Sequence, residues 1–458
     1  MKTVIPIDPI ETQTLAEELM GIELGDQRLN RRACSVLEQL GRQPRNSIPS
    51  AIGGWSETRS AYHLLSHERV DAQKILQPHY QSTLERIKQY PRVLVAQDTT
   101  ELDYTGKNDI VGLGTLNYEN RKGLYLHPSL AITPDRLALG QLDSWSWTRP
   151  LTEAKESIRW VEGYQRISEY QQQLKEEGAT TQLVYLADRE GDLYPLFAEH
   201  ERLVQSGKAA ADWLIRSKHD RKTQSGEKIR DLLAKAPSLG EIVFNLPKGR
   251  GQRKARAVTQ TLRAITVTLQ PTEQGLPAVR VTAIQAREEH PPQGEKPIQW
   301  ILLTNQAVQT LEEAKEKLDW YLCRWQIEVF FKILKSGCKV EELQLEHVDR
   351  IENALAFYQI IAWRVLYLTM LGRKCPELPC DLVFEQEEWQ AVYIVSKKER
   401  PPQKAPSIDT IIRMVASYGG FLNRKQDGSP GPQTLWIGLQ RCRDFVLGIE
   451  AQKTIDGR

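Results

Sequence analysis

The stretch LDWYLCRWQIEVFFKILKSG, Leu318 to Gly337, constrains this chain most. A helix turns about 100° per residue, so Tyr321, Arg324, Glu328 and Lys335 fall within an arc of roughly 60°. Lys332 lies beside them. Leu318, Leu322, Trp325, Val329 and Ile333 form an apolar stripe on one flank, and Ile327, Phe330, Phe331 and Leu334 form a second. The pattern predicts a helix packed on two sides, with a narrow polar ridge carrying a carboxylate among cations and a phenol. A buried helix keeps such a ridge where something charged docks. A phosphate backbone with a metal ion would suit it.

The Tyr-x2-Arg-x3-Glu-x6-Lys spacing resembles the signature of the DDE transposases of bacterial insertion sequences, in the subgroup that cuts and pastes through DNA hairpins. RVLVAQDTTELDY, Arg92 to Tyr104, resembles the first-aspartate strand of that family and contains Asp98. TQLVYLADREGD, Thr181 to Asp192, resembles the second and contains Asp188. IQWILLTN, Ile298 to Asn305, resembles the strand before the glutamate helix, and DWLIRSKHDRK, Asp212 to Lys222, a basic DNA-contacting strand. The likeness runs from about Leu24 to the C-terminal TLWIGLQRCRDFVLGIEAQK.

Composition says less. The length of 458 residues accommodates a large core. A net charge of +2 carries no global nucleic-acid signal, so DNA affinity must come from local patches. Three stand out: Arg28 with Arg31 and Arg32, Arg216 to Lys222, and Lys248 to Arg256. Any one alone could be a solvated face. The six cysteines are scattered without a metal or disulfide pattern, and a reduced cytosolic chain is the plain expectation. No cleavable signal peptide opens the sequence. The run ALAFYQIIAWRVLYLTML is nearly long enough to span a bilayer, but Gln359 and Arg364 interrupt it, so a buried helix is expected.

Periodicity predicts helices from Glu11 to about Tyr90, with a break at Arg45 to Gly54. Apolar runs at Val93–Ala96, Leu124–Ile132, Ala138–Trp147 and Leu183–Ala187 predict strands, with a long helix from about Thr152 to Glu177 before the last. That order predicts a mixed sheet with helices packed on it. Alternating residues between Lys222 and Pro297 predict an antiparallel β insertion. His63 and His67 share a helical spacing but lack a third ligand, and read as ordinary helix residues.

The resemblance implies a ribonuclease H-like α/β catalytic core at residues 71–372, with the β insertion at about 223–297. It implies a helical DNA-end-binding domain at 1–70 and a helical dimerisation domain at 373–458. It makes Asp98, Asp188 and Glu328 the catalytic carboxylates. Such hard oxygen ligands suit Mg²⁺, and also Mn²⁺, with two ions per active site. Tyr321, Arg324 and Lys335 would contact phosphates, Trp300 would stack on an extruded base, and Arg216, Lys218 and His219 would line the DNA channel. The expected partners are double-stranded DNA, as terminal inverted repeats and as target, and a second copy of the chain in a synaptic homodimer. No membrane is expected, and the location would be the bacterial cytoplasm at the nucleoid. Phe421, Leu435, Trp436 and Leu439 are candidates for the dimer face or for core packing.

Taken singly, each carboxylate has another reading. Asp188 could cap a helix, Asp98 could form a turn, and Glu328 could pair with Lys332. Two other functions also fit parts of the pattern: a ribonuclease H-like nuclease, and a catalytically silenced DNA-binding regulator derived from a transposase.

Overall fold

Short runs rich in Val, Leu, Ile and Tyr, bounded by polar turns, form the central sheet. The computed structural model describes residues 15–107, 110–118, 120–149, 157–246 and 255–456. Its strands are β1 (Arg92–Gln97), β2 (Thr100–Asp103), β3 (Gly114–Thr115), β4 (Lys122–Ile132), β5 (Ala138–Trp147) and β6 (Gln182–Ala187). The remainder are β7 (Asp212–Arg216), β8 (Gly240–Leu246), β9 (Arg256–Leu269), β10 (Val279–Glu288) and β11 (Gln299–Thr304). The main path through the sheet is β2-β4-β1-β6-β7-β11-β10-β9-β8, with β3 and β5 also paired to β4.

At its heart β5, β4 and β1 run antiparallel in succession, and β1, β6 and β7 run parallel. This is the mixed strand arrangement of a ribonuclease H-like core. Every residue of β1 after Arg92, and of β6 after Gln182, is buried, so this part of the sheet is covered on both faces. Helix Ile158–Glu176 covers the face that carries Tyr185, whose hydroxyl lies 3.3 Å from the Trp160 carbonyl and whose ring meets Tyr164 edge-on. The helix predicted from about Thr152 is described only from Ile158, since residues 150–156 lie outside the described ones.

The β insertion does not stand apart. β8, β9 and β10 extend the same sheet antiparallel through β11, and helix Ile229–Lys235 interrupts the segment. Of the basic patch at Lys248 to Arg256, all but Ala255 and Arg256 lies outside the described residues. Arg256 is spent on an ion pair with Glu288.

The run resembling a membrane span is the interior of helix Val348–Lys374, and 94% of its most apolar window is buried inside the fold. Its polar residues are satisfied there. Gln359 accepts from Gln141 at 2.9 Å and Ser144 at 2.7 Å, and Trp363 donates to the Ala138 carbonyl. One continuous apolar core runs from Leu19 to Cys442. Leu435 and Trp436 belong to that core, which removes them from the dimer-face candidates. Phe421 and Leu439 are half-buried, while Leu447 and Ile455 are exposed on the last helix, Pro432–Asp456.

Candidate active site

β1 and β6 pair in parallel with Ala96 opposite Leu186, so the next in-phase pair beyond the strand ends is Asp98 with Asp188. Both aspartates leave the sheet at the same edge, about one strand spacing apart. β1 and β2 keep one register against β4: Gln97 faces Ser129 and Thr100 faces Leu126. They are therefore one strand interrupted at Asp98 and Thr99. In that register Pro128 faces Asp98, and proline has no N–H to give to a ladder. The interruption frees Asp98 to turn outward.

The strands beneath are held by a buried polar network. Tyr185 donates to Gln97 at 2.5 Å, and Gln97 donates to Ser129 at 2.9 Å. Gly163 allows the close approach, because a Cβ there would stand 2.0 Å from the Gln97 amide. Thr99 and His127 lie 2.7 Å apart, and burial pushes the His127 imidazole down to about 3, so it is neutral.

The glutamate ridge differs from the uninterrupted helix the spacing predicts. Helix Leu311–Cys323 begins with a capping box between Thr310 and Glu313. It tightens at Arg324, where backbone bonds run from Arg324 to Tyr321 and from Ile327 to Arg324. It resumes as Trp325–Lys332 and widens into a π turn over Ile333–Gly337, a distortion frequent at functional sites. One flank is packed throughout and the other only at its ends, where Leu318 and Ile333 are buried. Leu322 is 40% exposed and Trp325 60% exposed, against the expectation of an apolar stripe buried on both sides.

Arg324 joins the two halves of the site. Its Nη1 donates to Asp98 Oδ2 at 2.7 Å and its Nη2 to Glu328 Oε1 at 3.1 Å. Burial pushes the Asp98 carboxyl up to about 6 against the pull of Arg324, and the Asp188 carboxylate pushes it the same way. Asp188 itself accepts from the Glu190 N–H at 2.7 Å. Tyr321 is 5% exposed, and its hydroxyl has no hydrogen-bond partner among the described residues. Trp300 meets the Tyr321 ring edge-on at 5.6 Å, and the Arg216 guanidinium sits 5.7 Å over Trp300.

Asp98, Asp188, Glu328, Arg324, Tyr321, Trp300 and Arg216 thus form one constellation. Lys335 stands apart in the π turn, 3.8 Å from Glu341, with burial lowering its pKa. Lys218 and His219 are exposed.

Sequence reasoning missed Asp192. It is buried, accepts the backbone N–H groups of Lys218 at 2.6 Å and His219 at 2.8 Å, and pairs with Arg221 at 2.7 Å. Arg221 is therefore a structural anchor, and Lys218 and His219 are held by their backbone. The only signal was an acidic residue four positions past Asp188. Asp192→Asn should cost about 2 kcal/mol of stability by weakening charge-assisted bonds. It should also loosen residues 217–222, read as faster amide hydrogen exchange there.

In-line carboxylates at the end of a ribonuclease H-like sheet, facing a glutamate helix with cations, define a DDE-type phosphoryl-transfer enzyme. Three family models match in chain order: Transposase DNA-binding over residues 11–70, Transposase DDE domain over 185–364, and Transposase Tn5 dimerisation domain over 360–456. In that order the three matches give the chain the Tn5-like organisation of a DDE transposase, an enzyme of DNA cleavage and strand transfer with domains for binding DNA and for dimerising. The DDE match contains Asp188 and Glu328, while Asp98 lies before its start.

Proposed function

We propose that the chain excises its own insertion sequence through hairpin ends and joins the freed 3′-hydroxyls to target DNA. Asp98, Asp188 and Glu328 act as its catalytic carboxylates. The observation that carries this is the in-register Asp98–Asp188 pair, tied to Glu328 through the Arg324 fork.

DDE transposases use divalent metal ions, and the residues here fit them. Asp98 and Asp188 end adjacent strands in register, and a guanidinium cation bridges Asp98 to Glu328, so three hard oxygen donors lie in one neighbourhood. Mg²⁺ or Mn²⁺ ions, two in the full arrangement, would supply activation of the attacking oxygen and stabilisation of the leaving one. The chain's own residues orient the DNA. Tyr321 offers a hydroxyl without a partner among the described residues, Arg216 and Arg324 offer guanidinium forks for phosphate, and Trp300 offers its indole ring beside them. Lys218, His219 and Lys335 extend the cationic track along the DNA.

The order of nucleophiles is water, then the released 3′-hydroxyl on the opposite strand, then water on the hairpin, then the 3′-hydroxyl on target DNA. Each is the same displacement at phosphorus, so one site serves all four. The N-terminal helices read the terminal repeats, two copies synapse the ends, and the reaction takes place on DNA in the cytoplasm.

The test incubates purified protein and Mg²⁺ with linear DNA carrying the inverted repeats that flank its gene. Hairpin-ended fragments that vanish in D98N, D188N and E328Q support the proposal. Sequence-blind nicking would point to a nuclease, and binding without cleavage to a silenced regulator. Trp300→Ala should slow hairpin formation about 10- to 100-fold, the loss of one base–aromatic stack, with first-strand nicking nearly unchanged. Equal slowing of both steps on a denaturing gel would remove Trp300 from the hairpin step.

A further inference from the structure

We propose that Arg324 gates the metal site, holding Asp98 and Glu328 until a DNA phosphate draws its guanidinium away. The carboxylates are then released to divalent ions only after DNA is seated. This inference rests on the reading of Asp98, Asp188 and Glu328 as metal ligands.

The two arms of the Arg324 fork are split between two carboxylates, Nη1 on Asp98 at 2.7 Å and Nη2 on Glu328 at 3.1 Å. A guanidinium and a divalent ion compete for the same oxygens, and the fork is a strong competitor because both bonds are charge-assisted. Among the described residues no three Asp, Glu, His or Cys side chains converge closely enough to hold an ion, although Asp98 and Asp188 end adjacent strands in register.

An alternative partner for the fork is prepared next to it. The Tyr321 ring lies 5.8 Å from the Arg324 guanidinium, and its hydroxyl is buried without a partner among the described residues. A buried unpaired hydroxyl is costly, and a phosphate oxygen would satisfy it. The Arg216 guanidinium sits over the ring of Trp300, which itself packs on Tyr321, and its charge acts on the Tyr321 hydroxyl. A phosphate seated there would meet one hydroxyl and two guanidinium groups. The Arg324 backbone is tied by bonds on both sides, so the movement proposed is that of its side chain. The positive charge then leaves Asp98 and Glu328 as the negative phosphate arrives. Metal and DNA binding thereby become mutually reinforcing, as linkage requires when each removes the same obstacle to the other.

The test is Mn²⁺ binding to the full DNA-free chain by isothermal titration calorimetry, with circular dichroism as the check on folding. R324Q should bind Mn²⁺ about tenfold or more tighter than wild type, for the loss of two charge-assisted bonds. R324K, which keeps the charge but can hold only one carboxylate well, should fall between them and serves if R324Q folds poorly. E328Q should weaken Mn²⁺ binding, and R324Q/E328Q should lose the gain of R324Q. Unchanged affinity in both Arg324 variants, with E328Q still weakening the site, would overturn the gate and leave the metal site standing. No effect of E328Q would overturn the metal-site reading itself. In a second arm, Ca²⁺ at constant ionic strength should tighten binding of a labelled terminal-repeat duplex several-fold in wild type and not in R324Q. Equal tightening in both would overturn the gate.

Discussion

Glu328→Gln is expected to leave DNA binding within about twofold of wild type while cleavage of the ends falls by about 10³-fold or more, roughly 4 kcal/mol of transition-state stabilisation. Glutamine keeps the shape of the side chain and removes the charge that a hard cation needs. The fold should not notice. Glu328 is half-buried on the ridge, and its one hydrogen bond among the described residues, from Arg324, can still be made to the amide oxygen. The stronger arm of that fork, to Asp98, is untouched. A gel shift with a terminal-repeat duplex reads the binding, and a denaturing gel reads the cutting. If the variant still cuts at an appreciable rate, Glu328 is not a catalytic carboxylate and the ridge has another use. Loss of binding together with cutting would instead show that the charge serves the DNA-bound structure.

What the sequence made legible was local. Spacing of three, four and seven residues put Tyr321, Arg324, Glu328 and Lys335 on one helical ridge, and apolar runs ending in Asp98 and Asp188 put each aspartate at a strand end. Both depend on periodicities of a few residues, which a chain carries visibly. The contacts that turn these residues into a site are long-range. Arg324 reaches Asp98 across 226 positions, and the pairing of Asp98 with Asp188 depends on a strand register that no local rule gives. Asp192 illustrates the same limit, since its partners at Lys218, His219 and Arg221 arrive from the end of β7. Periodicity also cannot say which apolar flank of a helix meets protein. Leu322 and Trp325 matched a buried stripe in pattern and are exposed in fact, Trp325 one turn from Glu328. The π turn at Ile333–Gly337, which carries Lys335 off the ideal ridge, has no composition signal in this stretch.

Glu18 shows how far a buried charge can hide in a sequence, and its replacement by alanine is expected to cost about 3–5 kcal/mol of stability. It sits in the short helix Ala16–Leu19, at the edge of the DNA-binding match, and is 1% exposed. Arg86, from helix Ala72–Ile87, donates to it at 2.7 Å and also to the Leu139 carbonyl on β5 at 2.5 Å. His79 from the same helix contacts it at 2.6 Å through Nδ1, while its Nε2 accepts the Gln141 N–H at 3.1 Å. That second bond fixes a neutral imidazole that donates to Glu18, in keeping with a His79 pKa lowered by burial. Removing Glu18 takes a buried carboxylate away from the buried Arg86 guanidinium, which is the costly way to break such a pair. Burial alone would raise the Glu18 carboxyl, but the charge of Arg86 and the hydrogen bonds from His79 and Arg86 outweigh it and bring it from 4.5 to about 2. A depressed carboxylate stabilises the fold above its unfolded value, and that contribution is lost as pH falls through the folded one. The gap in urea midpoint between wild type and E18Q should therefore be widest above pH about 4.5 and close as pH approaches about 2. Wild type should in addition lose stability below about pH 6.5, where an unfolded histidine binds a proton that folded His79 refuses. A gap that stayed constant across this range would mean that the carboxyl's shape, and not its charge, bolts the N-terminal helices to the catalytic sheet.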